Sequence, residues 1–111
     1  MRSLTALSLL LVAALLEAGG DALVRSGLHA SPVPRRLLFL SAGGLILFGY
    51  GCLVNVPPWR FGRLLGIYIA LFFVIAQTIG WLAFDQVPSR GIWLGGAFIV
   101  MGGAIITIAA N

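Results

Sequence analysis

LLLVAALLEAGGDALVRSG, Leu9 to Gly27, is a leucine- and alanine-rich run that carries a carboxylate, Glu17, and a second, Asp21, four residues later. A carboxylate in such a run either marks where a membrane segment ends or acts inside it. Glu17 lies about 20 Å along a helix begun at Leu4, past the middle of a hydrocarbon core ~30 Å thick but still within it. Asp21 and Arg25 follow at i+4 and i+8, so all three share one helix face. Asp21 and Arg25 fall near the interface, where an exposed pair contributes little. Glu17 is the costlier residue: a carboxylate in hydrocarbon must face a partner helix or water, and it can exchange a proton there.

Working outward, the 111-residue chain is 60% hydrophobic and 9% charged. A soluble domain of this size leaves too much surface to hide that apolar share, so the chain reads as an integral, multi-pass protein of the cell (inner) membrane. Four stretches meet the ~20-residue span requirement: Leu4–Leu23, Leu37–Val56, Leu64–Phe84 and Gly91–Ala110. The breaks VRSGLHASPVPRR, NVPPWRFGR and DQVPSRG carry proline, glycine and arginine. They are too short for another domain. The expected fold is therefore all-α, one domain over residues 1–111, with four transmembrane helices. A cleaved signal peptide over residues 1–20 is the rival reading, and the acidic residues around any cleavage site argue against it.

All seven basic residues are arginines, scattered between apolar runs rather than forming a stripe, which argues against nucleic acid as a partner. With four spans, Arg2, Arg60 and Arg63 fall on one side, and Arg35, Arg36 and Arg90 on the other, with Arg25 joining them if it lies outside the bilayer. Loop arginines set orientation, so this near-balance permits insertion both ways and an antiparallel homodimer. Cys52 and His29 each stand alone, which leaves no internal disulfide, no expected metal site and no expected cofactor. No nucleophile–base pair points to an enzyme.

In LGGAFIVMGG, Gly95 and Gly102 stand seven residues apart, and Gly96 and Gly103 repeat the pattern. Seven residues are two helical turns, so each pair makes a smooth groove for helix packing, within one protomer or in a dimer. The third helix supplies Tyr68 and Phe72 on one face, with Trp81 further on. Aromatic faces on a pocket wall can hold an organic cation. Tyr50 on the second helix and Asp21 on the first complete the candidate pocket. Gln77 and Thr78 are expected to make interhelical hydrogen bonds.

These residues resemble the small multidrug resistance family of the drug/metabolite transporter superfamily. LLEAGGDALVRSG is similar to that family's glutamate motif at Glu17, Gly20, Leu23 and Gly27. WLAFDQVPSRGIWLGGAFIVMGGAIIT matches its third-to-fourth helix stretch at Trp81, Gln86, Gly95 and Gly102. VPPWRFGRLLGIYIA is closer to the YnfA-type branch. The resemblance implies an antiparallel homodimer that exports small cationic or amphipathic compounds against protons, with Glu17 of each protomer binding the two in turn. Where the multidrug members have a glycine-rich kink in helix three, Ala70 and Phe72 stand here. Two other readings are a carrier of lipid-linked or neutral metabolites and a non-transporting membrane interaction protein.

Overall fold

In the computed structural model, which describes residues 3–109, four helices follow one another: α1 Ser3–Leu28, α2 Val33–Val54, α3 Phe61–Phe84 and α4 Arg90–Ile108. All four are long and apolar enough to cross a membrane. The shortest, α4 with 19 residues, reaches about 28 Å at the standard rise, which matches the hydrocarbon thickness. Large apolar side chains face outward on every helix. Leu45, Leu82 and Ile108 are 76%, 81% and 83% exposed, a surface suited to lipid and not to water.

The helix ends differ from the hydropathy reading in an informative way. α1 continues five residues past Leu23, to Leu28, and α2 starts at Val33 rather than Leu37. α2 stops at Val54, two residues before Val56. α3 opens at Phe61 rather than Leu64, and α4 opens at Arg90 rather than Gly91. Hydropathy stops at the first charge, but backbone hydrogen bonding does not: arginines ending a span bury their stems and keep the guanidinium at the interface. Pro34 sits in the first turn of α2, where its missing N–H removes no helical bond. The connections are correspondingly short, His29–Pro32, Asn55–Arg60 and Asp85–Ser89. Arg25 thus falls in the last turn of α1, on the side of Arg35, Arg36 and Arg90. The expectations for Arg2 and for a helix reaching Ala110 lie outside the described residues.

α1 packs against both α2 and α3, whereas α4 packs only against α3. The spatial order is therefore α2, α1, α3, α4, in a protomer of 52 × 34 × 18 Å. Within it α1 is covered on the faces that meet its neighbours, where Ala13 and Ala14 are fully buried, while Leu11, Val12 and Leu15 stay exposed. The buried cluster lies toward the Arg60 end, where Leu10, Ala13 and Ala14 of α1 meet Val54, Leu64, Ile67 and Tyr68. Alanines on that face of α1 let the helices approach closely.

The closest backbone approach is between α1 and α2. A Cβ on Gly43 would lie 2.9 Å from the carbonyl oxygen of Gly20 and 2.8 Å from Val24. Gly27, two turns from Gly20, meets Leu40 in the same way. The glycines of the α1 motif are thus the groove that seats α2. On α4 the two glycine pairs divide. Gly96 and Gly103 face α3, where a Cβ would collide with Phe73 and Ala70 respectively, whereas Gly95 and Gly102 have nothing within 4 Å. Because i and i+1 are about 100° apart on a helix, only one pair can face α3. Gly96 and Gly103 are therefore intraprotomer packing residues, which corrects their expected place in a dimer contact.

In the first turn of α3, Arg63 ties α4 down. Its Nη2 donates to the carbonyl oxygen of Thr107 at 2.9 Å, and its guanidinium lies 5.2 Å from the centroid of the Trp59 ring. The last carbonyls of α4 lack helical partners and carry the negative end of its dipole, so a guanidinium satisfies both. Polar side chains inside the spans bond to their own helix: Ser8 to Leu4, Thr78 to Val74 and Thr107 to Gly103. Thr78 is thereby satisfied within α3, in place of the expected interhelical bond. In hydrocarbon every hydroxyl needs such an acceptor.

Candidate functional site

Glu17 stands near the middle of α1, about 21 Å from Ser3 along the helix at the standard rise, and is half-buried. The docking of α3 on α1 brings Tyr68 to it. The Tyr68 hydroxyl donates to Glu17 Oε1 at 2.5 Å, at the short end of the range for a hydroxyl bonded to a carboxylate. Tyr68 is buried and stacks with two other rings. Tyr50 of α2 stacks on it at 5.8 Å between centroids, and Phe72, one turn along α3, stacks on it at 6.0 Å. Three rings from two helices form a column beside one carboxylate, and offset stacks of this kind add to the burial of their area. Such a site can hold a proton or a cation at Glu17, with π faces beside it.

The remaining candidates fall elsewhere. Asp21, exposed on α1, lines a cleft of about 270 Å³ between α1 and α3, together with Arg25, Phe72, Phe84 and Gln86. Arg25, exposed in the last turn of α1, lays its guanidinium 5.2 Å from the centroid of Phe84. Phe72 belongs to both the aromatic column and the cleft. Trp81 is not part of this site: thirteen residues from Tyr68, it is ~20 Å further along the helix and about 140° round it. It packs edge-on against Trp93 of α4, with centroids 6.5 Å apart, and lines a separate groove of about 380 Å³ with Gln77 and Thr78. Among the described residues no group of three or more His, Cys, Asp and Glu gathers to hold a metal ion. Sequence reasoning missed Phe84, which has no polar atom to attract notice. It could have reached Arg25, the third member of the i, i+4, i+8 series.

Replacing Tyr68 by Phe tests the coupling of column and carboxylate. The ring stack stays, and the bond to a charged acceptor goes. Tyr68→Phe is expected to cost about 1.5–3 kcal/mol of stability, read as a lowered melting temperature of the detergent-solubilised protein. An unchanged melting temperature would mean the bond contributes nothing to the fold.

Residues 3–111 match the family model described as "Uncharacterised BCR, YnfA/UPF0060 family". The UPF0060 membrane protein of Herpetosiphon aurantiacus is 33% identical over 108 residues, covering 96% of each chain. The UPF0060 membrane protein YfjF of Bacillus subtilis is 35% identical over 103 residues, covering 91% of each. No solved structure matches the chain. Four apolar spans, a family match over nearly the whole length and relatives named as membrane proteins agree: the chain is a multi-pass membrane protein and belongs to the YnfA/UPF0060 family.

Proposed function

We propose that this protein is a proton-coupled antiporter that exports small cationic or amphipathic compounds, with Glu17 as the position that proton and substrate share. The observation that carries the reading is Glu17 itself: a carboxylate at mid-membrane depth, joined to Tyr68 at 2.5 Å beside stacked aromatic rings. A group that takes either a proton or a cation makes each ligand lower the apparent affinity of the other, and that coupling is reciprocal. Exposing the site alternately to the two sides then exchanges the ligands. The test is proton release from the purified protein on addition of small organic cations, wild type beside Glu17→Gln. Release from neither would move the assignment to a carrier of neutral or lipid-linked compounds or to an interaction protein.

The same reading calls for a second copy, because Glu17 is only half-buried within the protomer. The outer face of α4, with Gly95 and Gly102 open, is the surface a second α4 would take, and the near-balance of arginines suits an antiparallel pair. Gly95→Val with Gly102→Val is expected to weaken dimerisation about tenfold or more, since bulk at a glycine groove blocks close helix approach. The protomer should keep its melting temperature. Light scattering across a detergent dilution series reads the first effect, and a dimer that survives unchanged would remove α4 from the interface.

A further inference from the structure

The cleft between α1 and α3, whose Asp21 lies one turn of α1 from Glu17, bears on the charge of the cargo. At about 270 Å³ it is smaller than the ~300–1,000 Å³ usual for drug-sized ligands, which favours a short, slender molecule. Its walls are Phe72, Ala76 and Phe84, and its polar groups are Asp21, Arg25 and Gln86. Asp21 is one turn of α1 from Glu17, so the two carboxylates lie on one face with Cβ atoms ~5–6 Å apart. Phe72 joins the two positions, lining the cleft and stacking on the tyrosine that holds Glu17. Two anions one turn apart repel each other. A ligand with one charge leaves a carboxylate bare, whereas a ligand with a cationic group at each end answers both.

Arg25, a further turn outward, limits how long that ligand can be. Its guanidinium is placed over the Phe84 ring, at the outer end of the cleft. A second ammonium reaching well past Asp21 would meet like charge there. The other polar groups around the two carboxylates are the neutral hydroxyls of Tyr50 and Tyr68 and the amide of Gln86. We infer that Asp21 is a second cation position in the transport site, and that the cargo class includes short aliphatic diamines with ammonium groups spaced to match one helical turn. Glu17 takes one ammonium, Asp21 takes the other, and the methylene chain lies along Phe72. This rests on the reading of Glu17 as the shared site.

Isothermal titration calorimetry on the purified full-length protein tests it, with putrescine, n-butylamine and octamethylenediamine as probes. Putrescine is expected to bind about tenfold or more tightly than n-butylamine, the order of a second close charge pair. Asp21→Asn should bring that ratio to about one while n-butylamine binding persists, and Asp21→Glu should restore it. Arg25→Gln should raise the affinity for octamethylenediamine and leave putrescine nearly unchanged, which tests the length limit independently of Asp21. A preference that survives Asp21→Asn, or its absence in wild type while n-butylamine binds and releases protons, overturns this inference and leaves Glu17 as the shared site. Failure of wild type to bind any of the amines overturns both.

Discussion

Glu17→Gln is expected to abolish cation-induced proton release, at least a hundredfold below wild type, while the protein folds and elutes as wild type does. Glutamine has the shape of glutamate and keeps an oxygen for the Tyr68 hydroxyl, so the bond at 2.5 Å retains an acceptor and the Tyr50–Tyr68–Phe72 stack keeps its geometry. What it lacks is the proton. The effect should be this large because no second mid-membrane carboxylate is available to take over: Asp21 lies a turn nearer the surface, and Asp85 sits at the C-terminal cap of α3. An intramembrane carboxylate is retained at considerable cost. The measurement is the pH change in weakly buffered detergent solution on cation addition. Undiminished release from the variant would sink the antiport proposal at its central residue.

Gly43→Val is expected to carry the largest structural effect, and Gly44→Val almost none. A Cβ at Gly43 meets backbone on the facing helix, the Gly20 carbonyl oxygen at 2.9 Å and the Val24 nitrogen at 3.1 Å. A side chain can rotate out of the way, but backbone can move only if α1 moves as a whole. α1 is the helix on which both α2 and α3 pack, so the displacement reaches the Glu17–Tyr68 bond. Overpacking of this kind costs about 1–3 kcal/mol, occasionally more. At Gly44 nothing lies within 4 Å, and an added side chain points outward. Unfolding in mixed micelles of rising dodecyl sulfate fraction compares the two. Equal midpoints would mean that α1 and α2 do not meet through Gly20 and Gly43.

Much of this architecture is legible in the chain before it folds, because the membrane imposes its requirement locally. A span must satisfy its own backbone and present apolar side chains along its length, so run length and hydropathy locate four helices without reference to any contact. Glu17 announces itself in the same way, as an ionisable group too deep in an apolar run. The placement of arginines at helix ends also follows from sequence, since each guanidinium has to reach water or headgroups.

What only the tertiary structure decided is which faces meet. Gly95 and Gly96 have the same seven-residue spacing to their partners, and nothing in the spacing says which pair faces α3; the docking of α4 against Phe73 and Ala70 of α3 does. Tyr68 and Trp81 are both aromatic residues of one helix, yet the register of α3 on α1 brings one to Glu17 across 51 residues of chain and turns the other to Trp93. The α1 continuation through Arg25 to Leu28 sets that guanidinium over Phe84 and forms the outer end of the Asp21 cleft. The physical reason is common to all three. Hydrophobicity specifies how deep a residue lies in the membrane but, with lipid as apolar as the helix interior, not which way it turns; orientation comes from close packing and hydrogen bonding between helices.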